Sequence, residues 1–216
     1  MAKVKIPATP SIRRLPSYLH MIKQAGDEGF DYISGTLIAR ELNLEPIQVR
    51  KDLAITGIVG KPKLGYPVLP LIVAIERFLG WNIKREAIII GAGNLAMALS
   101  GYQEFKFHGL YFFAAFDTNP AVVGKDIHGV PVHALAELPN IVRRKNVEIA
   151  VLTVPSSCAQ EIADICIQNE IKAIWNFTNI KIKAPDDVVI QREDLTSGFA
   201  LLSVMMNSKR PPRVKE

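Results

Sequence analysis

Three small residues, Gly91, Gly93 and Ala96, stand in the order Gly-x-Gly-x-x-Ala directly after an apolar run at residues 87–90. Between a strand and a helix, the first glycine permits a tight turn and the second lets the backbone approach a diphosphate, while the alanine lets the helix pack closely on the strand. The helix then offers its first amide N–H groups and the positive end of its dipole to the phosphates. The spacing therefore predicts a dinucleotide site and a helix that begins near Asn94.

An acidic residue follows at the position where such a site needs one. Asp117 ends the next apolar run, residues 110–116, and comes 24 residues after Gly93. A carboxylate here accepts hydrogen bonds from the adenosine ribose hydroxyls and repels a 2′-phosphate. Residues 118–120 supply no Arg that would attract that phosphate. We therefore expect NAD(H) rather than NADP(H) as the cofactor; the alternative is that Asp117 is a turn or cap residue before Pro120.

The sequence offers no convincing catalyst beside this site. A dehydrogenase needs a group that exchanges the proton of its substrate. Tyr102 and Lys106 have the spacing of a short-chain dehydrogenase pair but follow the glycine motif too closely, and Cys158 is interpreted as a plain thiol at a helix start. We therefore predict no catalytic residues and no enzyme; a small oxidoreductase whose N-terminal helices serve dimerisation is the alternative. None of the four histidines stands beside a carboxylate in a recognisable catalytic dyad; they are His20, His108, His128 and His133.

The elements that must position these residues alternate between strand and helix. Apolar runs predict strands at residues 87–90, 110–117, 148–154, 172–177 and 188–190. Further helices are expected over residues 134–144 and from Ser157 to Asn169, where Ser157 and Gln160 resemble a capping box. Continuous apolar runs are typical of strands buried in a parallel sheet. The alternation predicts an α/β fold with a doubly wound parallel sheet of the Rossmann type.

Positive charge is concentrated ahead of this predicted sheet. The chain of 216 residues has a net charge of +5, of which residues 1–85 carry +6 and residues 86–216 carry −1. Such an asymmetry is expected of a nucleic-acid-binding module joined to a second domain. A basic solvated face without a partner would give the same count.

Two short helices joined by a brief turn are predicted between residues 34 and 54. Ser34 is expected to cap the first, and Pro46 to open the second, where its missing N–H costs nothing. In the second helix we expect Ile47, Val49 and Leu53 to face inward and Gln48, Arg50 and Lys51 to face outward. Arg and Gln can read guanine and adenine in the major groove, and Lys suits phosphate. The pattern predicts a helix-turn-helix, with a small helical cap as the alternative.

Flanking segments extend this pattern to a winged helix. Leu15, Leu19 and Ile22 recur at helical spacing and predict an earlier helix, with a start signal at Ser11 and Pro16. Residues 57–66 are rich in Gly, carry two Lys and predict a β-hairpin wing that lies along the DNA. A fourth helix is expected over residues 69–79, followed by a linker at residues 80–85.

The composition is that of an ordinary globular protein, with 49% hydrophobic and 22% charged residues. The longest apolar stretches fall far short of the roughly 20 residues needed to span a bilayer. No long apolar core follows the basic N-terminus, so no signal peptide is expected. Two cysteines, Cys158 and Cys166, are too few for a disulfide framework, and no metal site is expected. We therefore expect a cytoplasmic protein without membrane contact.

Jointly, the motifs resemble those of the Rex redox-sensing repressors. The matching segments run in order over almost the whole chain, at residues 48–53, 65–66, 91–95, 114–117, 153–155, 176–177 and 194–195. The resemblance implies a repressor that holds operator DNA when NADH is scarce and releases it when NADH binds. A DNA-binding regulator that answers another nucleotide, such as ADP-ribose or coenzyme A, is the alternative.

The resemblance also implies domains and roles for individual residues. The domains are a winged helix at residues 1–80, a Rossmann NAD(H)-binding domain at residues 85–194, and at residues 195–216 a tail and a C-terminal helix exchanged within a homodimer. The cofactor-binding residues would be Gly91, Ala92, Gly93, Asn94, Leu95, Asp117, Thr118, Val154, Pro155, Asn176 and Phe177. The DNA-binding residues would be Arg14, Ser34, Gln48, Arg50, Lys51, Lys61, Lys63 and Tyr66, with Tyr102 and Asp194 near the subunit junction.

Overall fold

A computed structural model describes residues 8–208 of the chain. The chain divides into two compact units, residues 1–83 and 84–216. The first seven residues of the expected winged helix and residues 209–216 of the expected tail lie outside the described residues. Each unit has a hydrophobic core of its own.

Between residues 8 and 83, the N-terminal unit consists of four helices and a two-stranded sheet. Its elements are α1 (Thr9–Asp27), β1 (Tyr32–Ile33), α2 (Gly35–Glu41), α3 (Pro46–Ala54), β2 (Tyr66–Pro67) and α4 (Val68–Leu79). The predicted helical spacing is confirmed, because Leu15, Leu19 and Ile22 are buried in the core of this unit. Helix α1 begins earlier than Ser11, with a proline in its first turn, so Pro16 lies inside the helix instead of opening it.

The predicted helix-turn-helix elements are present. Ser34 caps α2, its hydroxyl accepting a hydrogen bond from the Leu37 amide at 3.0 Å, and Pro46 opens α3. Val49 is fully buried on α3, as expected. Ile47 was expected inward and is 58% exposed, so that prediction is wrong. Ile47 lies in the first turn of α3, and its exposure shows that no other described part of the chain covers this position.

The predicted wing is shorter than expected. An antiparallel bridge joins Lys61 to Gly65, and the strand that follows pairs Tyr66 with Ile33 of β1. Gly65 has a φ of +97°, and a Cβ there would collide with the Ile33 carbonyl oxygen. Pro62 has no N–H to extend a ladder. The ordered hairpin is therefore confined to residues 61–65.

The second unit is built on one mostly parallel sheet, whose seven strands run in the order β5-β6-β4-β3-β7-β8-β9. The pair β5 and β6 is antiparallel and the other neighbours are parallel. The strands are β3 (Arg85–Ile90), β4 (Leu110–Asp117), β5 (Asp126–Ile127), β6 (Val130–Ala134), β7 (Ile149–Leu152), β8 (Ala173–Asn176) and β9 (Val189–Arg192). The helices are α5 (Asn94–Gly101), α6 (Glu104–Phe107), α7 (Leu138–Lys145), α8 (Ala159–Gln168) and α9 (Ser197–Ser208).

Both faces of this sheet are covered, which explains the continuous apolar runs. On β3, Ile88 and Ile90 belong to one core cluster and Ile89 to the cluster on the opposite face. Alternate side chains of a strand point to opposite faces, so a strand buried on both sides must be apolar throughout. The predicted doubly wound Rossmann sheet is therefore confirmed.

Two local predictions in this unit are wrong. The helix expected over residues 134–144 is preceded by strand β6 and a short 3₁₀ turn at Leu135–Glu137, so α7 begins only at Leu138. Ser157 does not form a capping box with Gln160, because the Gln160 amide is bonded to the backbone of Lys183 at 2.9 and 3.0 Å. The Gln160 side chain, which the local pattern assigned to a helix cap, thus makes a tertiary contact instead.

Candidate nucleotide-binding cleft and nucleic-acid interface

The glycine loop between β3 and α5 has the backbone that its sequence predicts. Gly91 has a φ of +96°, and a Cβ there would approach the Thr153 carbonyl oxygen to 2.9 Å, so this position needs glycine for the protein's own packing. A Cβ on Gly93 would meet no protein atom within 4 Å. Gly93 therefore leaves space for a ligand to approach the protein backbone, and α5 begins at the next residue, Asn94.

Asp117, at the carboxyl end of β4, is tied to the same loop. One carboxylate oxygen accepts a hydrogen bond from the Ala92 amide at 2.7 Å and the other accepts one from the Asn119 amide at 2.8 Å. A carboxylate has about four lone-pair positions, so these two bonds fix the orientation of the group and leave acceptor capacity. Asp117 is thus held beside the glycine loop, where a ribose hydroxyl could donate to it.

A cleft of about 520 Å³ opens at this edge of the sheet. Six of the predicted cofactor residues line it, namely Gly91, Gly93, Asp117, Thr118, Val154 and Pro155. Cys158, interpreted as a plain thiol, also lines it, and the lining residues that were not predicted are Ile90, Phe116, Leu135, Thr153, Glu161 and Ile162. Those on α8 could have been found by noting that the helix after β7 must begin at the same sheet edge as the glycine loop.

The other predicted cofactor residues stand apart from the cleft lining. Ala92 is buried behind the loop, while Asn94 and Leu95 begin α5. Asn176 is fully buried, and its side chain closes a local turn by accepting from both the amide and the hydroxyl of Thr178. Phe177 packs against Trp175 with ring centroids 4.9 Å apart. Asn176, which was expected to bind the cofactor, therefore uses its side-chain polar atoms to shape the loop after β8.

The cleft fits a dinucleotide with an unphosphorylated adenosine ribose. Its charged lining residues are the carboxylates Asp117 and Glu161, and the lining set contains no Lys or Arg. A diphosphate can be bound by backbone N–H groups at the start of α5 without a cation. An additional ribose phosphate would face the Asp117 carboxylate without a counter-charge.

In the N-terminal unit, basic side chains gather where α2, α3 and the wing meet. A pocket of about 490 Å³ is lined by Arg50 of α3 together with Lys61 and Lys63 of the wing. Ser34 and Tyr66, also predicted to contact DNA, line the same pocket. The ring of Tyr66 lies mostly in the core, so its contribution is largely to packing. Lys51, next to Arg50 on α3, is exposed.

Two predicted DNA-binding side chains are instead bonded to a buried carboxylate, Asp52 of α3. Arg14 of α1 forms a two-point ion pair with it at 2.7 and 3.0 Å, Tyr18 donates at 2.7 Å and Gln48 at 2.8 Å. Burial alone would raise the pKa of Asp52, but the hydrogen bonds from Arg14, Tyr18 and Gln48 outweigh it and hold that pKa well below its usual range. Burial and the bond to Asp52 raise the pKa of Tyr18 to about 12. This cluster fastens α3 to α1.

The two residues predicted near a subunit junction are both exposed in the single chain. The Tyr102 ring packs edge-on against Phe105, with centroids 5.0 Å apart. Asp194 accepts hydrogen bonds from the hydroxyl and the amide of Thr196, at 2.7 and 2.9 Å, and these bonds lower its pKa. Asp194 thereby organises the turn that leads into α9.

Comparison with known proteins finds matches for both units. The family model described as "Putative DNA-binding protein N-terminus" matches residues 5–54, and "CoA binding domain" matches residues 82–180. A protein of Treponema denticola named redox-sensing transcriptional repressor Rex is 62% identical over 97% of this chain and 100% of its own length. A protein of the same name from Bacteroides fragilis is 39% identical over 94% of this chain and 90% of its own length.

Solved structures of a Rex-family repressor, RSP, are similar to this chain over 95% of its length. RSP in complex with β-NAD⁺ and operator DNA has a TM-score of 0.87 and 32% identity, covering 95% of each chain. RSP in complex with β-NADH has a TM-score of 0.86 and 30% identity, covering 95% of this chain and 97% of RSP. The relatives are named as transcriptional regulators and not as enzymes, so the oxidoreductase alternative is not retained. This chain belongs to the Rex family of redox-sensing transcriptional repressors.

Proposed function

We propose that this protein represses transcription by holding operator DNA with its N-terminal unit and that it releases the DNA when NADH enters the cleft of its second unit. One observation carries the proposal: a cleft suited to a dinucleotide and a basic helix-turn-helix surface occur in one chain. The same full-length fold has been solved as RSP with β-NAD⁺ and operator DNA, and with β-NADH.

The DNA surface that we propose consists of α3 and the wing. Arg50 and Lys51 are exposed on α3 and are assigned to the major groove, while Lys61 and Lys63 are assigned to phosphates. Gln48 donates a hydrogen bond from its side-chain amide to Asp52, so Arg50 is the stronger candidate for reading bases. Ser34 and Tyr66 shape the pocket between these elements.

The cofactor site that we propose is the cleft at the carboxyl ends of β3, β4 and β7. Gly91, Gly93 and the start of α5, with Asn94 and Leu95, are assigned to the diphosphate. Asp117 is assigned to the adenosine ribose, with Thr118, Val154 and Pro155 beside it, and Ala92 orients Asp117. The nicotinamide supplies the signal, because its redox state distinguishes NADH from NAD⁺. Phe177 is assigned to its neighbourhood, with Asn176 holding the loop.

The working assembly that we propose is a homodimer that exchanges α9. This helix contributes no buried residue to its own unit, while Phe199, Leu202 and Val204 are more than half exposed. An apolar helix that has no buried residue among the described residues of its own unit is typical of an interaction surface. Tyr102 and Asp194 are assigned to the junction, and the cytoplasm is assigned as the compartment, where a bacterial chromosome and its NADH meet.

The proposal is tested by capturing genomic DNA fragments on the full-length protein at one fixed salt concentration, because affinity for DNA depends strongly on salt. The complex is then challenged with NADH and, separately, with NAD⁺. A ligand can shift the protein only if it binds one state better than the other, and a coupling of about 1–3 kcal/mol would give a 5–150-fold response. We expect NADH to release the DNA at concentrations where NAD⁺ does not.

Asp117→Ala is the matched variant, because it removes the ribose partner and leaves the N-terminal unit unchanged. We expect this variant to capture the same fragments and to resist release by NADH. Capture that neither nucleotide disturbs in the unmodified protein would contradict the NADH response and keep the DNA-binding function. Release by coenzyme A or ADP-ribose instead would assign the cleft to another nucleotide.

A further inference from the structure

Part of the lining of the cleft that contains Asp117, the proposed ribose partner, is apolar. Leu135, from the 3₁₀ turn after β6, Val154, after β7, and Ile162, on α8, line it together with Phe116. Apolar side chains with a few placed polar groups are typical of ligand pockets. With Asp117 at the ribose, this apolar lining is the part of the cleft suited to a planar base.

Most polar side chains of the lining are already bonded to backbone groups. The Thr153 hydroxyl donates to the neighbouring carbonyls of Ile90 and Gly91, at 3.0 and 2.9 Å. The Cys158 thiol donates to the Pro155 carbonyl at 3.3 Å. Both oxygens of Asp117 accept backbone amides. These hydrogen bonds to the backbone fix the positions of the three side chains, which thereby shape the cleft.

Glu161 differs from them. It lies in the first turn of α8, lines the cleft and is exposed to solvent. An ionised carboxylate accepts hydrogen bonds and donates none. It therefore suits a base that presents an amino group and opposes a base that presents a carbonyl oxygen at the same position.

We propose that Glu161 accepts a hydrogen bond from the 6-amino group of the adenine and thereby makes the cleft selective for adenine over 6-oxopurines. In hypoxanthine the amino group is replaced by a carbonyl oxygen, which would face the carboxylate and be repelled. This inference rests on the proposed NADH site and adds a specificity-determining residue to it. Because Glu161 is exposed, water competes for the bond and the effect is smaller than for a buried pair.

The test compares NADH with reduced nicotinamide hypoxanthine dinucleotide, whose purine has a carbonyl oxygen in place of the 6-amino group and a proton on the neighbouring N1. Both carry the same fluorescent dihydronicotinamide, so the same fluorescence titration of the full-length protein, performed with each dinucleotide in turn, gives the two dissociation constants. We expect NADH to bind about tenfold more tightly, the scale of one exposed hydrogen bond to a charged group. In Glu161→Gln the amide can donate or accept, so the preference should fall to about twofold or less.

Asp164→Asn is the matched control, since it removes a carboxylate from another exposed position of α8, which lies outside the cleft lining. It should keep the tenfold preference. Equal binding of the two dinucleotides to the unmodified protein, or an unchanged preference in Glu161→Gln, would overturn the role of Glu161 and leave the NADH site standing. Failure of the unmodified protein to bind NADH at all would overturn both the site and the inference.

Discussion

At the residue scale, Asp52 is a fully buried carboxylate with four hydrogen bonds from three side chains. An isolated buried charge is costly, and it persists only when paired and hydrogen-bonded. Arg14, Tyr18 and Gln48 supply those bonds from α1 and from one turn earlier on α3. The two helices are therefore joined by a polar contact inside an apolar core, and the orientation of α3 depends on it.

Arg14→Ala should unfold the N-terminal unit more easily, because it leaves Asp52 buried without its counter-ion. We expect a loss of about 3 kcal/mol in the free energy of unfolding at pH 7, measured by denaturant titration. The pKa of Asp52 is lowered in the folded protein, so the ion pair contributes stability above the usual carboxyl pKa of about 4. The loss should therefore shrink as the pH falls below about 4.

Arg13→Ala is the control for this prediction, since Arg13 is the exposed neighbour on α1. It should change stability by no more than about 0.5 kcal/mol. If Arg14→Ala kept the stability of the unmodified protein and lost only operator affinity, Arg14 would be a direct DNA contact, as the sequence suggested. Loss of stability together with operator affinity assigns it to positioning α3.

Local spacing determined which residues of the cleft could be predicted. Gly91, Gly93 and Asp117 were recognisable because a turn, a helix start and a strand end each follow from neighbouring residues. Asp52 was not, since its role depends on contacts with side chains distant in sequence, such as Arg14, 38 residues away. The prediction of Ile47 as inward was wrong for the same reason, as helical spacing shows a face but not what covers it.

At the element scale, helix α3 concentrates the features of a recognition helix. One side carries the buried Val49, Asp52 and Leu53, and the other presents Arg50 and Lys51 to solvent. The wing brings Lys61 into the same pocket as Arg50. Lys61 is itself fixed by a 2.8 Å bond to the Tyr32 hydroxyl. A rigid helix and an anchored wing thus form one basic surface.

Arg50→Ala should lower operator affinity by about 10–100-fold, the range for one bidentate base contact. NADH affinity should stay unchanged, because Arg50 belongs to the N-terminal unit and the cleft to the other. Affinities are measured by fluorescence anisotropy over a series of salt concentrations. Arg77→Ala, an exposed arginine on α4, is the control and should have no effect. Equal losses in the two variants would point to net charge instead of a base contact.

Elements with strong periodicity were predictable and the short ones were not. The spacing of Leu15, Leu19 and Ile22 indicated α1, and the run at residues 87–90 indicated β3. Strands β1, β2 and β5 have two residues each, which is too short for any alternation to be visible. They exist because a neighbouring segment completes their hydrogen bonds, so the antiparallel β5–β6 pair was missed.

At the scale of the whole molecule, α9 is the element that one chain does not explain. Its apolar residues Phe199, Leu201, Leu202, Val204, Met205 and Met206 are all half or more exposed. Burying a large apolar side chain contributes about 1.5–3 kcal/mol, so leaving six of them in water is unfavourable. A second copy of the chain would supply the same helix in return, and exchange would give a symmetric, closed dimer.

Phe199→Asp should therefore weaken the dimer. Phe199 is 73% exposed in the single chain, so the substitution should not disturb the fold of either unit. A symmetric dimer contains the change twice, and a loss of about 2 kcal/mol for each copy corresponds to roughly a 1,000-fold rise in the dissociation constant. Sedimentation equilibrium of the full-length protein measures this dissociation constant, and Asn207→Asp, at an exposed polar position on the same helix, is the matched control.

A dimer that survived Phe199→Asp, or an unmodified chain that sedimented as a monomer, would contradict the role of α9 in dimerisation. Monomers that still bound NADH but lost both operator affinity and the response to NADH would tie the redox response to the exchanged helix.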